Sequence, residues 1–264
     1  MSFKLVALDV DGTLIDDENR ITRRTSETIR EVCRRGARIV LCTGRAPAST
    51  LPLLRELGLE GAMITHNGAA TVDSRGPTLL HEYAFDVGLV DGLIEFCRAE
   101  GVHLDFNTAF SLYVENLSEE AREVYRKYYI EPIDVGDLRR VREPLVKITL
   151  YAGKDVLDRL VAKWPVIGDP TLRPIRSDEY FIDLMHVRAS KGNALKALAE
   201  QWGISPSEII AIGNYYNDLD MLQYAGVGIA MGNAPDEVKK MADDVTASNN
   251  EDGVHLALKR YCLS

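Results

Sequence analysis

The sequence contains few cysteines, and none of them form a C-x-x-C pair. Only four occur among 264 residues: Cys33, Cys42, Cys97 and Cys262. Scattered cysteines in a chain of this length are typical of reduced thiols in a cytosolic protein, not of a disulfide scaffold. No apolar run approaches the ~20 residues that span a bilayer. The first apolar run reaches Asp9 too soon for a signal peptide. We therefore expect a soluble, cytoplasmic protein.

Positive charge is also scarce, because the formal net charge is -9 at pH 7. An acidic chain of this kind has no broad electrostatic attraction to nucleic acid or to an anionic membrane. An anionic small molecule would then have to meet a local positive site inside an acidic protein. The length fits one large domain or, more naturally, a core domain with a smaller domain inserted into it.

Short apolar runs alternate with helical patterns near both ends of the chain. Three such runs, Phe3–Leu8, Ala37–Cys42 and Ala62–Thr65, each stop at a polar turn, and helical patterns separate them. The same alternation resumes from Ser190. Strands that alternate with helices indicate a parallel sheet covered by helices on both faces. The sequence thus predicts an α/β protein with a doubly wound, Rossmann-like core sheet.

The pattern between the two halves is different, because several strands follow one another there. Consecutive strands favour an antiparallel sheet, so residues 83–186 are predicted to form an inserted α+β domain. The discontinuous core is predicted to comprise residues 1–82 and 187–264. The strand periodicity of Leu145–Tyr151, together with Tyr180 and Phe181, is interpreted as core of the insertion.

Two aspartates, Asp9 and Asp11, follow the first predicted strand. Residues two apart in an extended chain point the same way, so both carboxylates face one spot. Paired carboxylates need a neutralising cation or separated pKa values, and hard oxygen ligands suit Mg²⁺. Gly12 then allows a turn that exposes backbone N–H groups to an anion. The alternatives are two surface aspartates in a polar turn, or a calcium loop, which the early position of Gly12 and the missing final Glu exclude.

Other polar residues also follow predicted strands or begin a predicted helix. Thr43 offers a hydroxyl and Gly44 an unobstructed N–H, although the pair also fits a plain turn. Lys191 lies in the first turn of a helix, where the helix dipole disfavours a cation. A phosphate or Asp9 as its partner would explain this position, and a solvated lysine is the alternative. Arg45 is interpreted as contacting substrate or solvent, outside the immediate site.

These stretches together resemble the haloacid dehalogenase-like hydrolase superfamily. Asp9-Val-Asp-Gly-Thr13 is similar to its first motif, and Thr43-Gly-Arg, Lys191-Gly-Asn and Gly213-Asn-Tyr-Tyr-Asn-Asp218 match the later ones in order. The position of the insertion, Asn67-Gly68 and Gly228–Ala234 resemble the Cof-type branch, subclass IIB. The resemblance implies a Mg²⁺-dependent phosphatase for small phosphorylated metabolites, such as sugar phosphates or phosphorylated cofactors, whose insertion is a cap that selects the substrate.

The resemblance also implies a role for each motif residue. Asp9 would be the nucleophile that carries an aspartyl-phosphate, Asp11 the general acid and base, and Lys191 a further catalytic residue. The phosphate-binding residues would be Val10, Thr43, Gly44, Lys191 and Asn217. The metal ligands would be Asp9, Asp11, Asn214 and Asp218.

Asn214 departs from the family pattern, which has an aspartate at this position. An amide oxygen still binds Mg²⁺ but brings one negative charge fewer, so the affinity for the metal should fall. Asp218 could compensate through a water molecule or by orienting Lys191. Two alternatives follow: a catalytically weakened protein that binds phosphorylated ligands, and a phosphotransferase similar to phosphomannomutases. No pattern in the sequence predicts the oligomeric state.

Overall fold

The computed structural model describes residues 3–76, 78–127 and 129–264. They form two compact units: a core unit of Met1–His81 and Ser190–Ser264, and an inserted unit of Glu82–Ala189. These limits lie within three residues of the predicted boundaries, 1–82 and 187–264 for the core and 83–186 for the insertion. That the core is catalytic and the insertion selects substrate stays a prediction.

The helices and strands alternate in the core unit and cluster by type in the insertion. The first half of the core contains β1 (Leu5–Asp9), α1 (Arg23–Arg34), β2 (Arg38–Cys42), α2 (Pro47–Glu56), β3 (Ala62–Thr65), β4 (Ala70–Asp73) and β5 (Thr78–Glu82). The insertion contains α3 (Asp91–Glu100), β6 (His103–Asn107), β7 (Leu112–Val114), α4 (Glu119–Lys127), β8 (Ile133–Asp134), β9 (Lys147–Tyr151), α5 (Lys154–Ile167), β10 (Leu172–Asp178) and β11 (Phe181–His186). The second half of the core contains α6 (Lys191–Trp202), β12 (Ile209–Gly213), α7 (Leu219–Tyr224), β13 (Val227–Ala230), α8 (Asp236–Met241), β14 (Asp244–Val245) and α9 (Gly253–Cys262).

The core sheet has the strand order β14-β13-β12-β1-β2-β3-β4-β5. Its strands from β14 to β3 are parallel, and Leu5 of β1 lies opposite Ile209 of β12 on one side and Arg38 of β2 on the other. The predicted α/β fold with a parallel, doubly wound sheet is confirmed. The sequence did not predict β4, which pairs with β3 in the antiparallel sense. The backbone reverses there through Asn67 and Gly68, at φ of 53° and 89°.

Both faces of the core sheet are buried. Val6 and Leu8 of β1 pack into one apolar cluster with residues of α1 and α9, whereas Leu5 and Ala7 pack into a second cluster with residues of α6 and α7. A strand that is covered on both sides needs apolar residues at every position, which explains the uninterrupted apolar run before Asp9. Burial of β1 on both faces fixes the position of the carboxylate that follows.

The inserted unit has a sheet of order β10-β11-β9-β6-β7-β8. Its pairs are antiparallel except β7 with β8, which is parallel. One face of the sheet packs with α3 and α5 in an apolar cluster that includes Phe106, Ile148 and Ile182, each of them fully buried. The unit therefore has the α+β character that its consecutive strands predict.

The interpretation of Tyr151, Tyr180 and Phe181 as core of the insertion is wrong. Leu145 is buried, but Tyr151, Tyr180 and Phe181 are 50%, 46% and 39% exposed. Tyr151 and Phe181 lie opposite each other in neighbouring strands, with ring centroids 4.9 Å apart. Alternate residues of a strand face opposite sides, so these rings lie on the face away from the apolar cluster.

No helix within the described residues is both long and apolar enough to span a bilayer.

Candidate active site

Asp9 is the last residue of β1, the strand between β2 and β12 in the core sheet. Thr43 directly follows β2 and Asn214 directly follows β12. Because the three strands are parallel, their carboxyl ends lie at the same edge of the sheet, where open α/β sheets bind their ligands. Asp9 is only 5% exposed. Residues far apart in the sequence thus meet around a nearly buried carboxylate.

Lys191 lies between two carboxylates. Its Nζ donates to Asp9 Oδ1 at 2.7 Å and to Asp218 Oδ1 at 2.6 Å, and the lysine is 1% exposed. Lys191 is the first residue of α6, and the preceding Ser190 caps that helix by accepting a hydrogen bond from Asn193 N at 3.1 Å. A buried lysine needs compensating negative charge, and here two aspartates provide it. Of the two partners that the sequence suggested, a phosphate or Asp9, the structure has Asp9 in contact with Lys191, and the solvated alternative does not apply.

Burial and charge shift the pKa values of this cluster. Burial, assisted by the negative charge of Asp218, raises the pKa of Asp9 to about 6, although Lys191 opposes the shift. Burial alone would lower the pKa of Lys191, but the two carboxylates outweigh it and raise that pKa above its ordinary value. Lys191 is therefore a permanent cation near neutral pH, and Asp9 is ionised above pH 6.

Asp218 connects the lysine to the loop that follows β12. Its Oδ2 accepts hydrogen bonds from the backbone N–H groups of Asn214 at 2.9 Å and Tyr215 at 3.0 Å, while its Oδ1 accepts from Lys191. Gly213 is necessary beside it, because a Cβ there would lie 2.6 Å from the Asp218 side chain. Both oxygens of Asp218 thus orient protein groups, and its role as a metal ligand stays a prediction.

Asp11 is paired with Arg45. The guanidinium donates from Nη2 to Asp11 Oδ1 at 2.6 Å and from Nε to Asp11 Oδ2 at 3.0 Å. The Asp11 side chain is 57% exposed, in contrast to that of Asp9. A two-pronged contact of this kind fixes the plane of a carboxylate as well as its position. The sequence reasoning left Arg45 outside the site, and the T-G-R spacing alone gave no indication of this partner.

Thr43, Gly44 and Asn217 lie around a residue that the sequence reasoning did not include in the site, Asn67. The Asn67 backbone N–H donates to Thr43 O at 2.9 Å, and Asn217 Nδ2 donates to Asn67 Oδ1 at 3.0 Å. A Cβ on Gly44 would lie 3.1 Å from the Asn67 amide, so a side chain here would press on that residue. The polar turn after the third strand was the available indication that Asn67 belongs here.

The loop after Asp9 is a tight turn built on Val10. The Val10 side chain is buried, and its carbonyl accepts from the backbone N–H groups of Thr13, Leu14 and Ile15. Gly12 has a φ of 73°, and a Cβ on it would lie 2.5 Å from the Asn214 amide. Glycine is therefore required for the loop to approach Asn214, while phosphate binding by Val10 stays a prediction.

Comparison with known proteins shows the family. A model of the haloacid dehalogenase-like hydrolases matches residues 6–258. The chain is a haloacid dehalogenase-like hydrolase. It is 31% identical over 268 residues to the Bacillus subtilis (strain 168) protein YxeH, which is named as a candidate phosphatase, with 99% of each chain covered. The similarity therefore covers almost the whole chain and not only the short motifs.

Solved structures place this hydrolase in the Cof-type branch. A haloacid dehalogenase-like hydrolase from Bacteroides thetaiotaomicron has a TM-score of 0.89 and 30% identity, covering 98% of this chain and 99% of its own. The subclass IIB sugar phosphatase BT4131 has a TM-score of 0.81 and 26% identity, covering 99% and 100%. The hydrolase is accordingly a phosphoric monoester hydrolase of the Cof-type, subclass IIB.

Members of this superfamily generally use a divalent metal, and the hydrolase has oxygen atoms that fit one. The inward terminal atom of the Asn214 amide lies 3.0 Å from Asp9 Oδ2 and 3.1 Å from the Asp11 carbonyl oxygen. Neighbouring ligands of octahedral Mg²⁺ are about 3.0 Å apart, since each Mg–O bond is about 2.1 Å. Within the described residues, no three His, Cys, Asp or Glu side chains form a metal cluster. The candidate donors are therefore of mixed type: one carboxylate, one carbonyl and one amide.

Proposed function

We propose that this hydrolase is a Mg²⁺-dependent phosphatase that cleaves small phosphate monoesters through an aspartyl-phosphate on Asp9. The observation that carries the proposal is the buried contact of Lys191 with Asp9 at the carboxyl end of β1. A permanent cation beside a carboxylate whose pKa is about 6 gives an ionised nucleophile and a partner for phosphate in one place.

In the first step, we propose that Asp9 Oδ1 attacks the phosphorus atom. Asp9 Oδ2 lies 3.0 Å from the inward atom of the Asn214 amide, which in turn lies 3.1 Å from the Asp11 carbonyl oxygen. Because these atoms are the candidate metal ligands, Oδ1 is the Asp9 oxygen left to react. A P–O bond forms to Asp9, and the ester P–O bond breaks. The leaving oxygen takes a proton from the carboxylic acid of Asp11, so the alcohol departs neutral.

In the second step, Asp11 acts as the base. Its carboxylate takes a proton from a water molecule, whose oxygen attacks the phosphorus and breaks the P–O bond to Asp9. Inorganic phosphate leaves, and Asp9 and Asp11 return to their starting protonation states. Arg45 pairs with the carboxylate form of Asp11, which is the form that acts as the base, and orients it for the second proton transfer.

The phosphate oxygens are proposed to bind to groups at the carboxyl ends of β1, β2 and β12 and at the start of α6. These are Lys191 Nζ, the Thr43 hydroxyl, the Asn217 amide, and backbone N–H groups at Val10 and Gly44. Asp9, the Asp11 carbonyl and Asn214 would hold Mg²⁺, with Asp218 acting alongside them. When bound, Mg²⁺ supplies positive charge that offsets the negative charge on the transferred phosphoryl group.

The substrate is proposed to be a phosphorylated metabolite, such as a sugar phosphate, because a subclass IIB sugar phosphatase covers nearly the whole chain. The inserted unit is proposed to act as the substrate-selecting cap. The net charge of -9 argues against nucleic acid as a partner, and the scattered cysteines favour a cytoplasmic enzyme. A screen of phosphorylated metabolites in excess Mg²⁺ would identify the substrate.

The test is hydrolysis of p-nitrophenyl phosphate by the wild-type protein, Asp9→Asn and Asp236→Asn. Asp236 is an exposed aspartate in α8, so its substitution controls for loss of a carboxylate elsewhere. We expect activity that needs Mg²⁺, stops with a chelator, is lost in Asp9→Asn and persists in the control. Acid quenching with ³²P-labelled substrate should trap labelled protein only when Asp9 is present. Activity that survives Asp9→Asn would refute the mechanism.

A further inference from the structure

The amide of Asn214 faces oxygen atoms on its inward side. The inward atom lies 3.0 Å from Asp9 Oδ2, 3.1 Å from Asp11 O and 3.2 Å from Thr13 Oγ1. The first two are hydrogen-bond acceptors only, whereas the threonine hydroxyl both donates and accepts. The chemistry of these neighbours therefore decides which end of the amide faces inward.

The nitrogen end of the amide suits the site without a cation, and the oxygen end suits the site with a cation. With Nδ2 inward, the amide donates to Asp9 Oδ2 and Asp11 O, and all three groups are satisfied. With Oδ1 inward, it accepts only from Thr13 Oγ1 and lies 3.0 and 3.1 Å from the other two oxygens, and the outward NH₂ group faces only donors. The contacts between oxygen atoms are unfavourable unless a cation lies among them. A half-turn of the amide exchanges the two arrangements.

We propose that Asn214 is a stand-in for the divalent cation. Its NH₂ group bonds to Asp9 and Asp11 O when no cation is bound, and its oxygen turns inward when a cation binds. The inference rests on the proposed metal site. It explains why an amide is tolerated where an aspartate is usual: without a cation, an aspartate would set a second negative carboxylate against Asp9, whereas the amide supplies donors.

The consequence is that a cation must displace hydrogen bonds that the protein makes with itself. Asn214→Asp removes this competition and adds one negative charge, so its Mg²⁺ dissociation constant should fall by about 10-fold or more. The cation-free form of this variant loses the internal donors, so Mg²⁺ should raise its melting temperature more than it raises that of the wild type. Both changes follow from the amide, and neither requires turnover.

Mg²⁺ binding is measured by titration calorimetry, and melting with and without Mg²⁺, for the wild type, Asn214→Asp and Asn233→Asp. Asn233 is an exposed amide that donates to Gly12 O at 2.8 Å, so its substitution adds the same charge near the loop without facing Asp9. In the ¹⁵N-labelled wild type, we expect the Asn214 NH₂ signals to move and to lose protection from exchange as Mg²⁺ saturates. The Asn214→Asp spectrum identifies these signals.

The outcomes separate this inference from the proposed function. Mg²⁺ binding with unchanged Asn214 NH₂ signals, or equal affinities for wild type and Asn214→Asp, overturns the stand-in and leaves the phosphatase mechanism in place. Absence of Mg²⁺ binding in every protein overturns both. If Asn233→Asp tightens binding as much as Asn214→Asp, general charge is the cause and the stand-in is refuted as well.

Discussion

Replacing Lys191 with methionine tests the charge cluster most directly, because it keeps most of the volume and removes the cation. At an effective dielectric constant of about 20, each contact of Nζ with a carboxylate at 2.7 or 2.6 Å is worth about 6 kcal/mol before desolvation. Removing the lysine also removes the free-energy cost of burying its charge, and this gain offsets most of the sum of the two contacts. Removal of one partner from a buried ion pair costs about 3–5 kcal/mol, and we expect that loss near pH 8.

The loss should depend on pH with a definite sign. Lys191 lowers the pKa of Asp9, so without it that pKa rises above the wild-type value of about 6. The folded variant then binds a proton that the unfolded chain, with a pKa near 3.8, does not bind until lower pH. Stability of Lys191→Met relative to the wild type is therefore lowest above the folded pKa and recovers as the pH falls towards 5.

The assay is urea unfolding at pH 8 and pH 5.5, followed by tryptophan fluorescence. Trp202 lies in α6 of the core unit and Trp164 in α5 of the insertion, so a Trp164→Phe background makes Trp202 the reporter of the core. Lys4→Met is the matched control, because Lys4 makes a 2.6 Å ion pair with Glu208 but is 57% exposed, and its loss should cost at most about 1 kcal/mol. A Lys191→Met loss no larger than the control, or equal at both pH values, refutes the reasoning.

Two further predictions concern activity. With limiting Mg²⁺, kcat/KM should fall as the pH drops through about 6, because Asp9 attacks only when ionised. Saturating Mg²⁺ should shift this fall in kcat/KM to lower pH. A kcat/KM that does not change from pH 5 to 7 would contradict the assignment of Asp9 as the nucleophile. Arg45→Gln should lower kcat by about 10- to 100-fold by releasing Asp11, whereas Arg75→Gln, which breaks a similar pair with Asp73, should leave steady-state rates unchanged. A normal kcat for Arg45→Gln would show that Asp11 needs no such support.

The sequence predicted those strands whose burial on both faces produces an uninterrupted run of apolar residues. The apolar run that ends at Asp9 indicated a strand covered on both faces, and the structure has it at the centre of the sheet. Lys191 was predicted to pair with a phosphate or with Asp9, because a cation in the first turn of a helix needs an anion nearby. Both inferences used local chemistry that the three-dimensional structure preserves.

The remaining features depend on contacts that local patterns do not specify. Arg45 is only two residues after Thr43, and nothing in that spacing shows that its guanidinium reaches Asp11. Tyr151 and Phe181 have the strand periodicity of core residues, but periodicity does not say which face of a sheet is covered. The antiparallel β4 depends on a reversal at Asn67 and Gly68, whose positive φ values are not written in the apolar pattern.

Because β1 lies at the centre of the sheet, its pairing on one side must wait until most of the chain has been synthesised. One neighbour of Leu5 in the sheet, Arg38, follows closely, but the other, Ile209, comes 204 residues later. At about 5–20 residues per second, roughly 9 to 34 seconds of synthesis separate Arg38 from Ile209. During that time the nascent sheet has an unpaired apolar edge, which is the kind of edge that chaperones cover and that aggregates when left exposed.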